Sequence, residues 1–271
     1  MAQDITLVYM VAGMSSRFGG KIKQFAQVGP HGETLIEYSL KQALNSRFTK
    51  IVFVVGDKTE AGFKQVFGNK YHGIPIVYAM QKFNPAERDK PWGTTDALVS
   101  ARAQIDSPCV VCNGDDLYGE SAFKMLVQHL VDKEGEATIG YPLVETLSEQ
   151  GSVNRGIFSV DEAGRVSKIF EALGITRAEA METPGIENVR CSMNLFALHP
   201  ETIDRLALRL ESFKAMHKKD RTAECLLPTE ISTLIEKKDI RMKLYPAHEK
   251  WIGVTYPEDE AVVKEILASA R

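Results

Sequence analysis

Through its first half the chain alternates short, unbroken apolar runs with stretches of helical period, and this alternation does most to limit its fold. Ile5 to Val11 is an apolar run of strand length, and Thr34 to Asn45 carries Leu35, Ile36, Leu40 and Leu44 at helical spacing. Strand Lys50 to Val55, helix Glu60 to Phe67, strand Ile74 to Met80 and helix Thr94 to Ala103 come next. Strand Cys109 to Cys112, helix Glu120 to Val131 and strand Ala137 to Tyr141 complete the series. A strand that is apolar at every position must bury both faces. That happens in a largely parallel sheet with helices on either side, so an α/β fold is predicted.

The second half is more mixed. Gly156 to Val160 and Arg165 to Phe170 read as a hairpin around Asp161-Glu162-Ala163-Gly164. A strand at Ser192 to Leu198 precedes a long amphipathic helix, Glu201 to His217, with Ile203, Leu206, Leu210 and Phe213 on one face. Pro228 opens a helix to Lys237, Ile240 to Tyr245 is a strand, and a last helix runs from Pro257 to Ala270. No internal repeat, low-complexity tract or long linker interrupts the chain, which reads as one domain over residues 1–271. The helices at 201–217 and 228–237 either cover the second half or make a homo-oligomer contact.

Composition narrows the ligand. With 271 residues, 44% of them hydrophobic, the chain can bury a large core. Its net charge of -3 gives no overall basic field to hold nucleic acid. A small anionic ligand must then be held by locally placed Lys, Arg, backbone N–H groups or a metal. The first apolar run is preceded by Asp4 and by no basic stretch, and it is too short to span a bilayer. It reads as a buried strand, with no membrane partner. Cys109 and Cys112 have C-x-x-C spacing but lie in a strand and read as core thiols, not a zinc or redox site. Few cysteines and no export signal lead to the expectation of a cytoplasmic protein.

The most informative stretch follows the first strand: Val11-Ala12-Gly13-Met14-Ser15-Ser16-Arg17-Phe18-Gly19-Gly20, then Lys21-Ile22-Lys23-Gln24. In an open α/β sheet, ligands bind at the carboxyl ends of such strands. Gly13, Gly19 and Gly20 allow close backbone approach to phosphate oxygens, and Arg17 and Lys23 add positive charge. Two common phosphate motifs do not fit. The P-loop needs G-x-x-x-x-G-K-S/T, but Ser15 stands at its first glycine and Ile22 follows the lysine. The fingerprint G-x-G-x-x-G fails because Ser15 occupies its second glycine.

The loop resembles the signature of nucleotidyltransferases of the sugar-nucleotide pyrophosphorylase type. The resemblance extends through Gly32-Glu33-Thr34-Leu35-Ile36-Glu37, Lys90-Pro91-Trp92-Gly93-Thr94-Thr95-Asp96 and Val110-Val111-Cys112-Asn113-Gly114-Asp115-Asp116. It is looser at Asn154-Arg155-Gly156, Lys168-Ile169-Phe170-Glu171, Ser192-Met193-Asn194 and Trp251-Ile252-Gly253-Val254. It implies a Rossmann-like three-layer αβα sandwich with a mixed, mostly parallel sheet. It also implies a nucleotide-binding half at 1–135 and a sugar-phosphate-binding half at 136–271. The implied reaction transfers NMP from a nucleoside triphosphate to a sugar 1-phosphate and releases pyrophosphate.

That resemblance places Arg17 on the leaving phosphates, Lys23 near the attacked phosphate and Asp115 on Mg²⁺. Ala12, Gly13, Ser16 and Thr94 would help bind the nucleotide, and Gln81 and Gly93 would meet the base, the glycine leaving room for the ring. Trp92 reads as packing. Gly156, Glu171 and Asn194 would contact the sugar. Between the adjacent acids, the resemblance places Asp115 on the metal by its position in the motif; side chains alternate along an extended backbone, so both acids are not expected to face one metal without a turn.

Three departures bear on the acceptor. The compact Arg17-to-Lys23 loop is closer to relatives that transfer CMP to polyol phosphates or GMP to the molybdenum cofactor. Glu171-Ala172-Leu173 lacks the lysine that grips the sugar's phosphate, leaving Lys168 or Arg190 as substitutes. Gly253-Val254-Thr255 leaves a second metal ligand unassigned, with Asp259 nearby in sequence. Two alternatives therefore stand: a cytidylyltransferase for a non-sugar alcohol phosphate, and a nucleotide-sugar-binding regulator with weak catalysis.

Overall fold

The computed structural model describes residues 3–13, 22–148, 151–254 and 259–269. The first strands are β1 (Thr6–Met10), β2 (Lys50–Val55), β3 (Lys70–Tyr71), β4 (Ile74–Met80), β5 (Cys109–Asn113) and β6 (Asp116–Leu117). There follow β7 (Glu136–Pro142), β8 (Ser152–Val160), β9 (Val166–Thr176), β10 (Arg190–Ser192), β11 (Phe196–Leu198), β12 (Met242–Pro246) and β13 (Ile252–Gly253). The helices are α1 (Leu35–Leu44), α2 (Glu60–Phe67), α3 (Thr94–Ser100), α4 (Glu120–Asp132), α5 (Arg177–Met181), α6 (Pro200–Met216), α7 (Leu227–Glu236) and α8 (Asp259–Ser269).

One mixed sheet runs in the order β3-β4-β2-β1-β5-β11-β7-β10-β8-β9, with β12 beside β7. Its core is parallel, since β4, β2, β1 and β5 all run the same way. Alternation along these strands feeds two separate apolar layers. Leu7, Tyr9, Ile51, Phe53, Val110 and Cys112 face α1, α2 and α4. Val8, Met10, Val52, Val54, Cys109 and Val111 face α3, α6 and α7. The unbroken apolar pattern is thus a sheet buried on both faces, and the αβα sandwich expected from the sequence is what forms. Cys109 and Cys112 fall into opposite layers, so they cannot share a metal; burial pushes both thiols up.

Local chemistry sets the element ends. Thr34 closes a capping box on α1: Glu37 N–H bonds its hydroxyl at 3.4 Å, and Thr34 N–H bonds the Glu37 carboxylate at 2.8 Å. The helix expected to Ala103 stops at Ser100 and tightens into a 3-10 turn at Arg102–Gln104. The strand expected from Ser192 to Leu198 is two strands. Asn194 breaks it in a left-handed conformation (φ 59°), stepping the chain from the β8 side of the sheet to its centre. The hairpin is longer than its apolar pattern, because its polar outer residues gave no strand signal. Helices α6 and α7 pack over the sheet beside α3. No helix among the described residues is long and apolar enough to cross a membrane.

Candidate active site

The carboxyl ends of β1, β2, β4 and β5 lie side by side, and the turn after β5 begins the site. Gly114 is required there, because a Cβ would lie 2.2 Å from Val11 Cγ1 at the end of β1. This tight turn projects Asp115 toward the short 3-10 helix Lys23–Phe25, where Lys23 Nζ meets Asp115 Oδ2 at 2.6 Å. The same ammonium donates to the Val254 carbonyl. The closing segment reaches this point because β13 pairs with β6, Gly253 opposite Asp116.

Asp116 is buried behind this pair. Asn113 Nδ2 donates to its Oδ2 at 2.8 Å, and the Tyr118 hydroxyl lies 3.1 Å from the same oxygen. Burial first, and the neighbouring Asp115 charge second, push the Asp116 carboxyl up to about 7. The turn at residues 114 and 115 breaks the alternation that would send the two acids opposite ways, and both line one cavity. No carboxylate comes from Gly253; a Cβ there would sit 3.1 Å from Asp116 Oδ1. Asp259, the first residue of α8, lies outside this cavity.

That cavity is about 240 Å³ and is closed by both halves of the chain. Lys23, Thr94 and Asp115 line it from the first half of the chain; Gly156, Glu171 and Asn194 line it from the second. Register brings the latter together, since Gly156 pairs with Glu171 across β8 and β9. Burial raises the Glu171 carboxyl above its usual range, partly countered by Arg155. Among the described residues, Asn194 Oδ1 and Trp251 Nε1 are buried without a hydrogen-bond partner, and both residues belong to the cavity wall. An acceptor and a donor left unmatched in this way suit a hydroxyl, which can serve both.

Other expected residues lie elsewhere. Ala12 and Gly13 follow the end of β1, outside the cavity. Gln81 directly follows β4, with its N–H bonded to Val55 O at 2.9 Å, and its Nε2 donates to Gly93 O at 3.1 Å. On the side where Gly93 lacks a Cβ, the space is taken by Cys225, whose carbonyl oxygen a Cβ would meet at 2.8 Å. The Gly93 φ of 95° and this close approach are what demand glycine. Trp92 packs edge-on against Phe213 and beneath the Arg88 guanidinium, as its reading as a packing residue anticipates. Ser16 and Arg17 lie outside the described residues, as do Gly19, Gly20 and residues 255–258.

Neither substitute for the missing lysine reaches the cavity. Lys168 pairs with Glu236 at 3.7 Å on the outside of the hairpin, and Arg190 donates to Glu187 O at 2.9 Å. Besides Lys23, the cation among the described residues of the wall is Arg155, whose Nε and Nη2 grip Thr146 Oγ1 and Thr146 O at 3.1 and 2.6 Å. Its position beside Gly156 in a resembling segment was the available signal. A larger hollow of about 660 Å³ opens at the far end of β7, where buried Glu136 is satisfied by His199 and Thr202. It holds none of the expected site residues.

The sequence profile described as "Nucleotidyl transferase" matches residues 21–214. No curated protein matches the chain significantly. Among solved structures, one described as a glucose-1-phosphate thymidylyltransferase from Bacillus anthracis superposes with TM-score 0.73 at 13% identity, covering 98% of this chain and 96% of that one. The inositol-1-phosphate CTP transferase from T. maritima gives 0.69 at 16% identity, covering 99% and 96%. A UDP-glucose pyrophosphorylase complexed with UDP-glucose gives 0.70 at 17% identity, covering 100% of both. At these identities the likeness is one of fold.

Proposed function

The chain belongs to the nucleotidyl transferase family, and from that premise we propose that it transfers NMP from a nucleoside triphosphate to a sugar 1-phosphate, releasing pyrophosphate. The observation that carries this reading is the shared cavity. It sets a Lys23–Asp115 pair against Glu171 and the unmatched polar atoms of Asn194 and Trp251. One side suits phosphate and the other suits hydroxyls.

The reaction joins two anions, so charge compensation and alignment are the main demands on the protein. Lys23 supplies positive charge where the attacked phosphate would lie. Glu171 accepts from acceptor hydroxyls, and Asn194 and Trp251 offer the complementary acceptor and donor. The residues fit Mg²⁺ through Asp115, with Asp116 beside it. Among the described residues, no group of three or more His, Cys, Asp or Glu forms a protein-only metal cage. Magnesium suits such a site, because it takes one or two carboxylates plus phosphate oxygens and water. When bound it would offset charge on the phosphates.

A second reading, a polyol phosphate as acceptor, is favoured by the compact Arg17-to-Lys23 segment, which is closer to relatives that transfer CMP to polyol phosphates. Incubating the protein with Mg²⁺, each of four NTPs and a panel of sugar 1-phosphates plus inositol 1-phosphate separates these readings. Pyrophosphate release with one acceptor class identifies it. Nucleotide binding without release across the panel would instead indicate a regulator.

A further inference from the structure

The residues behind Gln81 carry the reading of the nucleotide side further. Asp96, in the first turn of α3, is only 5% exposed. Its Oδ2 accepts from Gln81 Nε2 at 2.8 Å, and its Oδ1 accepts from Lys214 Nζ at 2.9 Å. That ammonium is delivered by α6, from the other half of the chain. With the bond to Gly93 O at 3.1 Å, both hydrogens of the Gln81 amide are used. Held by the Lys214 ammonium on its other oxygen, the Asp96 carboxylate accepts here and does not donate. Turning the amide over would put its oxygen against two other oxygens, those of Asp96 and Gly93. Among the described residues, nothing donates to Gln81 Oε1.

The clamp is held from several directions. Gln81 N–H is fixed in the sheet by Val55 O. Gly93 is pinned beneath Cys225, whose N–H bonds Trp92 O at 2.7 Å and whose carbonyl accepts from Thr95 N–H at 3.0 Å. Arg88, buried under Trp92, donates to Asp220 O at 2.9 Å and to Ala223 O at 2.5 Å. The chain at residues 220–225 therefore holds the nucleotide-side loop in one position.

We infer that Asp96, oriented by Lys214, fixes the Gln81 carboxamide so that it meets the base only as a hydrogen-bond acceptor. The site then takes a nucleotide through an N–H on its base edge and disfavours a ring lone pair or carbonyl at that point. This inference rests on the reading that Gln81 meets the base. Asp96 touches no nucleotide and acts as a positioning residue.

Calorimetric titration of wild-type protein, Gln81→Leu and Asp96→Asn with Mg²⁺ and ATP, CTP, GTP or UTP tests it. The readout is the affinity ratio within the matched pairs UTP/CTP and GTP/ATP, which exchange donor for acceptor on the base edge. In Asp96→Asn, Lys214 keeps the amide oxygen and leaves the NH₂ toward Gln81, so a donor faces the Gln81 amide, Gly93 O alone opposes its turning over, and the acceptor-only presentation is lost. The ratio for the pair containing the preferred nucleotide is expected to fall by about tenfold or more. A changed ratio in Gln81→Leu with none in Asp96→Asn overturns the positioning role. An unchanged ratio in Gln81→Leu overturns the reading that Gln81 meets the base. The wild-type protein gives a check independent of variant folding. Both Gln81 side-chain amide protons, assigned by NMR from their loss in Gln81→Leu, should be protected from solvent exchange before and after nucleotide binds. Exchange at the rate of an exposed amide overturns the inference.

Discussion

Lys23 and Asp115 neutralise each other in a partly enclosed place, with side chains 14% and 30% exposed. An ammonium already held at the cavity wall needs little reorganisation when phosphate arrives, which is the condition under which one charged contact is worth most to a transition state. Lys23→Ala is expected to lower kcat by about a hundredfold or more. Asp115→Ala is expected to abolish Mg²⁺-dependent turnover with the circular dichroism spectrum retained. Pyrophosphate release measures both, and wild-type rates in either variant would remove that residue from the mechanism. A different residue pair makes a pH prediction. The hydrogen bond from His199 to Glu136 raises the imidazole pKa above its usual 6.5. A raised histidine stabilises the fold fully below the unfolded value and loses that contribution as pH climbs through the folded one. The stability gap between wild type and His199→Gln, from urea unfolding, should therefore be wider at about pH 5.5 than at about pH 8.5. A gap that widens with pH would contradict this.

Elements differed in how clearly the sequence announced them. The central strands were legible because each buries both faces, so every position is apolar. The capping box at Thr34 was equally local, and Thr34→Ala should cost about 1 kcal/mol. Chemical denaturation checks this; no loss would mean that packing alone fixes the start of α1. The two-residue strands β6 and β13 have no sequence period, and their pairing exists because residues far apart in the chain are brought together. Asn194 was picked as a sugar contact, yet its role in splitting a strand was hidden, since a left-handed residue leaves no trace in hydrophobicity. Lys168 failed as a substitute for a simple reason of parity: it lies three residues from Glu171, and side chains that far apart on a strand face opposite ways.

At the scale of the whole molecule, one sheet links the two halves, and α6 and α7 bridge them from the same layer as α3. Unfolding should therefore be a single cooperative transition. The two tryptophans report on different places, Trp92 beside α6 and Trp251 in the closing segment. Fluorescence of Trp92→Phe and Trp251→Phe should show, within each variant, a urea transition coincident with that of the far-UV circular dichroism. Separate transitions would mean that the halves unfold as independent units.

The sequence alone determined the layer architecture, because burial on two faces requires an apolar residue at every strand position and that requirement is written locally. It also marked Lys23, Asp115, Glu171 and Asn194, whose segments resemble those of a known family. Only the tertiary structure decided that Asp116 shares their cavity, that Arg155 and not Lys168 or Arg190 joins Lys23 as a cation there, and that Asp96 and Lys214 stand behind Gln81. Those facts depend on which way a side chain turns after a tight bend, and on which distant segment arrives opposite it. Contacts between residues more than a hundred positions apart leave no periodic signal in a single chain.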